Sequence, residues 1–200
     1  MTDVVERWRG GDLSPRAAAL PEQARALNSG GVVTVEEAIR TSVEYETRVR
    51  DVYVEAVNGV ESAEGKRLFQ LLADEEQSHV DYLDVKLNQW SRDGTVTADG
   101  LTTAIPSAAV IEQGVDTLRE KIGGKPGTVE LQFLSKALSV ERETSDFYRR
   151  MVDELPDEAK GLFRRFLEIE DGHLALVQAQ IDQATGTGYW FDVREFTLEG

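Results

Sequence analysis

The 200-residue chain contains no cysteine. That absence excludes disulfides, thiolate nucleophiles, iron–sulfur clusters and any zinc or iron site built on sulfur ligands. Long apolar runs are missing too. No stretch approaches the roughly 18–20 residues that a membrane helix needs. The charged N-terminal residues, Met1 to Gly11, do not supply the apolar core of a secretory signal. The expected location is therefore cytoplasmic, with no membrane partner. Positive charge is scarce: 22 Lys and Arg stand against 37 Asp and Glu, a net charge of −15. Such a balance argues against a nucleic-acid-binding face. The 40% apolar and 30% charged content belongs to an ordinary globular chain, long enough to bury a sizeable core.

Histidine is also rare, and its placement is informative. The two histidines close the tetrapeptides Glu76-Gln77-Ser78-His79 and Glu170-Asp171-Gly172-His173, both Glu-x-x-His. On a helix, residues three apart share a face, so each pair points a carboxylate and an imidazole the same way. Two such pairs, with one inward Glu from each of two further helices, make the ligand set of a carboxylate-bridged di-iron or di-manganese site in a four-helix bundle.

The hydrophobic pattern predicts an all-α fold with four long helices. Residues 1–33 read as an irregular arm with one short helix, about Ser14 to Leu27, interrupted at Pro21. Thr34-Val35-Glu36-Glu37 is a capping box that opens helix one, which runs to about Val57 and stops at Asn58-Gly59. Its stripe is Ile39, Val43, Glu46, Tyr53, Val57. Helix two spans about Ser62 to Trp90, with Phe69, Leu72, Glu76, His79, Leu83, Leu87 and Trp90 inward. A loop over Asp93 to Ala109 leads to a short helix, about Val110 to Ile122, ended by Gly123-Gly124 and followed by the breaker Lys125-Pro126-Gly127. Helix three spans about Thr128 to Glu154, with Leu131, Leu134, Leu138, Glu141, Tyr148 and Val152 inward. Pro156 fits the first turn of helix four, which continues to about Thr185 with Phe163, Phe166, Glu170, His173, Val177 and Ile181 inward. Short links join helices one to two and three to four, and a long connection between two and three implies a single crossover. The bundle occupies 34–185, and an aromatic tail, 186–200, remains. That tail reads as packing or a subunit contact, with a redox relay through Trp190 as the alternative.

An internal repeat supports this reading. Glu46 precedes Tyr53 by seven residues, as Glu141 precedes Tyr148, and Asp51 and Asp146 occupy matching offsets. Glu46 to Glu76 is 30 positions and Glu141 to Glu170 is 29, so each half supplies one Glu and one Glu-x-x-His. A lone Glu-x-x-His is usually a surface pair, and a lone Glu in an apolar stripe is usually a boundary residue. Six such groups in duplicated register favour metal. The expected ligands are Glu46, Glu76, His79, Glu141, Glu170 and His173, with Glu76 and Glu170 as candidate bridges. Four carboxylates balance two divalent ions, and the hard oxygen and borderline nitrogen donors suit iron, manganese or a mixed pair. Glu44 and Glu143 are the rival carboxylates, displaced about 200° around the helix from Glu46 and Glu141. Tyr53 and Tyr148 read either as core aromatics or as hydroxyls that orient bridging carboxylates. Asp51 and Asp146 read as surface charges.

Ala73-Asp74-Glu75-Glu76-Gln77-Ser78-His79 and Val140-Glu141-Arg142-Glu143-Thr144-Ser145-Asp146-Phe147-Tyr148 resemble the helix motifs of the ferritin-like superfamily, most closely the rubrerythrin branch. The resemblance covers about residues 34–185. It implies a four-helix bundle with a non-haem di-iron centre that reacts with peroxide or dioxygen, taking electrons from a donor protein. Familiar members carry a rubredoxin domain whose iron needs four cysteines, absent here, so a separate donor is expected. Many also carry an extra Glu one turn after the third-helix ligand, where this sequence has Thr144. The expected function is a di-iron oxidoreductase reducing peroxide or dioxygen, as a homodimer. An iron-storing ferroxidase and a non-catalytic, metal-stabilised interaction module are the alternatives.

Overall fold

In the computed structural model, residues 33–118 and 127–186 are described, and they form five helices with no strand among them. These are α1 (Val35–Gly59), α2 (Ala63–Asp93), α3 (Ala108–Leu118), α4 (Thr128–Glu154) and α5 (Asp157–Gly186). The expected helix at Ser14 to Leu27, the far end of the short helix, most of the breaker before Gly127 and the aromatic tail with Trp190 lie outside the described residues. Val33, assigned from sequence to the arm, is buried with the core.

The helix starts follow local chemistry. Thr34 and Glu37 form the capping box: the Thr34 hydroxyl accepts from Glu37 N–H at 3.2 Å, and the Glu37 carboxylate accepts from Thr34 N–H at 3.0 Å. This satisfies donors that a bare helix start would strand. Ser62 caps α2 by accepting from Gly65 N–H at 3.1 Å. The helix ends differ from expectation. Asn58-Gly59 does not stop α1; helical bonding runs through Gly59, and extended Val60 closes the helix with its N–H on the Ala56 carbonyl at 3.0 Å. The α2 helix passes Trp90 and ends at Gly94, which takes the left-handed conformation (φ 64°) that favours glycine. Pro156 lies just before α5 rather than inside its first turn. Its carbonyl accepts from Ala159 and Lys160.

Helix α1 packs on α2, α4 on α5, α1 on α4, and α3 on α5. Cross-helix contacts give the directions. Tyr53 meets Glu141 while Tyr148 meets Glu46, so α1 and α4 are antiparallel. The α2–α5 pair is antiparallel too, since Glu76 meets His173 and Tyr82 meets Phe166. With short turns joining α1 to α2 and α4 to α5, the order is up, down, down, up, so that α2 and α4 run the same way.

Two apolar clusters fill the interior, one toward each end. The first holds Val49, Val52 and Ala56 of α1 with Phe69 and Leu72 of α2, Leu134 and Val140 of α4, and Leu176 and Val177 of α5. The second holds Ile39 and Tyr45 of α1, Leu83 of α2, Phe147, Tyr148 and Met151 of α4, and Phe163 and Phe166 of α5. Between them, at the helix middles, comes a belt of buried polar groups. The inward stripes are broader than single rows. Val43, Val57, Leu87, Trp90, Leu131, Leu138, Val152 and Ile181 are only partly buried, while Ser42, Val49, Ala137 and Val140 take core positions. A core-facing helix needs a wide apolar arc, and small residues fit where helices approach most closely. No helix among the described residues is long and apolar enough to cross a membrane.

Candidate metal centre

The polar belt consists of Glu46, Glu76, His79, Glu141, Glu170 and His173, each 0–1% exposed. Every expected ligand therefore lies in one place, one from α1, two from α2, one from α4 and two from α5. Nδ1 of His79 sits 3.2 Å from both Glu46 Oε2 and Glu76 Oε2, and 3.7 Å from Glu170 Oε1. Nδ1 of His173 sits 2.7 Å from Glu76 Oε1, without hydrogen-bond alignment, and 3.9 Å from Glu170 Oε1. Glu76 and Glu170 thus both face the two imidazoles. The rings stack nearly parallel, 5.4 Å apart, and Phe166 meets His79 edge-on at 5.4 Å.

Tyr53 donates to Glu141 and Tyr148 donates to Glu46. Each tyrosine therefore serves the carboxylate of the opposite half. Both readings of the tyrosines meet here: they are buried core aromatics, and their hydroxyls hold carboxylates, those of α4 and α1 rather than the candidate bridges Glu76 and Glu170. The reason is the antiparallel α1–α4 pairing. A residue two turns along one helix comes level with the Glu of its partner, not its own.

Burial between apolar clusters dominates the electrostatics. Burial raises Glu46 to about 8, partly offset by its bond to His79. Burial, with the Glu76 charge nearby, raises Glu141 to about 7. Glu170 is pushed well above the ordinary carboxylate range by burial and by the Glu46 and Glu76 charges. Glu76 is the exception. Burial would raise it, but His173 and His79 outweigh that and hold it low. Burial works against charge on His79 and His173, yet the surrounding carboxylates raise both. Burial thus favours protons on Glu46, Glu141 and Glu170, while the imidazoles favour the ionised form of Glu76.

The donor set fits metal. Glu76 Oε1, Glu141 Oε2 and both oxygens of Glu170 are buried without a hydrogen-bond partner, an arrangement that is costly unless something else satisfies them. Two groups of potential ligand atoms lie within 4.8 Å of one another: Glu46, Glu76, His79 and Glu170, and Glu76, Glu141 and His173. These buried groups could hold a metal ion, and Glu76 belongs to both. All donors in these groups are carboxylate oxygen or imidazole nitrogen.

The rival carboxylates are not brought into these groups. Glu143 takes Arg48 at 2.6 Å across α1 and α4, and Glu44 is absent from both groups. Asp51 and Asp146 are exposed and accept from Arg50 and Arg149, as surface charges do. Thr144 is buried with its hydroxyl turned back to the Val140 carbonyl at 2.9 Å, so no further carboxylate enters one turn after Glu141. Sequence reasoning missed Glu75. It forms a third group with His79 and His173, and the available signal was its four-residue spacing to His79 on one helix face. Comparison with protein-family models, curated proteins and solved structures finds no match to this chain.

Proposed function

We propose that the protein is a ferritin-like, rubrerythrin-type di-metal oxidoreductase that reduces peroxide or dioxygen with electrons from a separate donor. The observation that carries this reading is the buried belt of four carboxylates and two imidazoles in two overlapping ligand groups that share Glu76. The up-down-down-up helix order with one crossover is in keeping with it.

Glu46, Glu76, His79 and Glu170 would hold one ion, and Glu76, Glu141, Glu170 and His173 the other. Bound iron would supply one electron per ion and open positions for a small oxidant; reducing one peroxide to two waters consumes two electrons and two protons. The chain's own residues set the conditions. Glu76 and Glu170 face both imidazoles and span the two positions. Tyr148 and Tyr53 fix the rotamers of Glu46 and Glu141. Phe166, edge-on to His79, and Phe69, packed on Tyr53, belong to the apolar clusters on either side of the belt, whose exclusion of bulk water would strengthen every electrostatic interaction inside. A separate protein would supply the electrons for re-reduction.

The test is to load the protein anaerobically with Fe(II), add peroxide, and follow optical spectra through repeated additions of an external reductant. Repeated oxidation and re-reduction at about two irons per chain is the expected outcome. Accumulation of many ferric ions per chain in a large particle would replace this reading with iron storage. A redox-inert metal in natively purified protein would replace it with a structural module.

The crossed tyrosines make a sharper prediction. Tyr53→Phe should weaken the ion held by Glu141, and Tyr148→Phe the ion held by Glu46, each by roughly 10–100-fold, the usual effect of removing a partner that orients a ligand. Competitive titration against a chelator reads this directly. Equal affinities for the variants and the parent protein would rule out an orienting role for the hydroxyls.

A further inference from the structure

An ion can reach the buried belt only through a seam between helices, and three of the seams are bridged by arginine close to the ligands. Arg50 of α1 donates to Gln77 of α2 at 2.9 Å. Arg48 of α1 meets Glu143 of α4 at 2.6 Å. Arg149 of α4 meets Asp171 of α5 at 3.3 Å. Gln77 and Asp171 directly follow the ligands Glu76 and Glu170. The carboxylates beside these seams are already paired, since Arg50 also holds Asp51 and Arg149 also holds Asp146. A cation approaching there meets a guanidinium charge and a carboxylate that is already engaged.

The α2–α5 seam is different. Its carboxylate is Glu75, which accepts from neutral donors: Oε2 from the Thr103 hydroxyl at 2.7 Å and Oε1 from Ala104 N–H at 2.9 Å. Both donors belong to a strap that follows α2. The Tyr82 hydroxyl holds the start of this strap, within donating distance of the Thr97 carbonyl at 3.3 Å and the Asp99 carbonyl at 3.1 Å. Leu101 and Ile105 anchor it by burial. On α5, a Cβ at Gly172 would lie 2.9 Å from the Pro106 carbonyl oxygen, so only glycine allows the strap this close. Glu75 stands at the rim of the centre. It is partly buried, and one of its oxygens lies within 4.8 Å of a ring nitrogen of both His79 and His173. Each of those buried imidazoles leaves a ring nitrogen without a hydrogen-bond partner.

We propose that divalent metal enters and leaves the centre through the α2–α5 seam, with Glu75 as its first protein ligand and the strap as a shutter. An arriving ion replaces the two neutral donors on Glu75. The strap then lifts at Thr103 and Ala104, while its anchors at Tyr82 and Leu101 keep it in place to close again. Charge gives the direction: at three seams the acids are held by arginine, and at the fourth a carboxylate faces only neutral groups. The proposal rests on the di-metal reading above and adds the route by which the ions exchange.

Ala104 is exposed and offers Glu75 its backbone N–H, so a charge can be placed on its side chain without removing the latch. Ala104→Lys and Ala104→Glu are compared with Ser139→Lys and Ser139→Glu, a matched pair at an exposed position of α4 two residues before Glu141. Uptake of Mn(II) by the metal-free proteins, and its release to a chelator, are timed at low and high salt. Ala104→Lys should slow uptake and Ala104→Glu should quicken it, each by roughly 3–10-fold at low ionic strength. Both effects should fade in high salt, and the Ser139 pair should stay near the parent rate. Thr103→Val loosens the latch, so it should speed uptake and release alike by about 5–20-fold and leave the affinity unchanged. Ala104 variants that behave like the Ser139 pair, or parent-like rates in Thr103→Val, overturn this route and leave the di-metal reading standing. A parent protein that binds neither Mn(II) nor Fe(II) overturns both.

Discussion

Chelating the metal is expected to lower the melting temperature steeply, and by more at pH 8 than at pH 5.5. A ligand that binds only the folded state at about a thousand times its dissociation constant adds roughly 4 kcal/mol. For a chain of this length that corresponds to a melting-temperature shift of about 8–16 °C. The pH dependence follows from protons held in the metal-free belt. Folded Glu46 keeps its proton up to about 8 and folded Glu141 to about 7, whereas unfolded carboxyls lose theirs near 4.5. Between those limits the folded state binds more protons, so its stability falls as pH rises. His79 and His173, both raised, act in the same direction, their contribution being lost as pH climbs past the ordinary histidine range. Glu76 acts oppositely, but only in acid, where its ionised form is lost below the normal carboxylate range. The metal-free protein should therefore be most stable in mild acid and weaken toward pH 8, by on the order of 1.4 kcal/mol per pH unit for each proton of difference. Ions replace those protons, so the loaded protein should hold a flatter profile, and loading near pH 6.5 should release protons. Calorimetric scans of both forms from pH 5 to 8.5 check this. Identical curves for the two forms, or a metal-free form that gains stability toward pH 8, would contradict a buried carboxylate-rich centre.

Glu76→Gln is expected to have the largest effect of any single substitution. Glu76 touches both imidazoles and belongs to both ligand groups. The isosteric amide keeps the shape and leaves the surrounding apolar clusters intact, so the fold should survive, but the charge that holds both histidines is gone. Both ions should weaken by at least about 100-fold, beyond the 10–100-fold typical of residues that only orient ligands. Glu46→Gln and Glu141→Gln, each in one group, should weaken one ion chiefly. Isothermal titration separates the two patterns. A Glu76→Gln protein that loses only one ion would show that Glu170 alone spans the positions. Asp51→Asn, at an exposed carboxylate already paired with Arg50, is the control and should change nothing.

Much of the architecture was legible because the signals are local. Thr34 to Glu37 spells a capping box, Ser62 is a good cap, and Thr128 to Glu154 is bounded by breakers on both sides. The six belt residues could be chosen because a carboxylate in an apolar stripe is conspicuous, and two stripes repeated it. What sequence hid depends on how helices meet. The crossing of Tyr53 to Glu141 and Tyr148 to Glu46 requires the antiparallel register of α1 on α4, which no spacing within one helix specifies. Ser42 and Ala137 are buried, while bulkier Val43 and Leu138 lie at the margin, a choice that only the packing of neighbouring helices makes. Glu75 draws no reading from sequence, because its hydrogen bonds from Thr103 and Ala104 depend on how the segment after α2 folds back. Helix ends were the least legible feature. Gly59 and Gly94 look alike in sequence, yet only Gly94 takes the left-handed turn.

The most direct measurement is an anaerobic titration of metal-free protein with Fe(II), followed by elemental analysis after removal of free metal. The account predicts saturation at two ions per chain, with His79→Ala and His173→Ala each retaining one. Saturation at one ion or none, or full stoichiometry in both histidine variants, would contradict a di-metal centre built from Glu46, Glu76, His79, Glu141, Glu170 and His173.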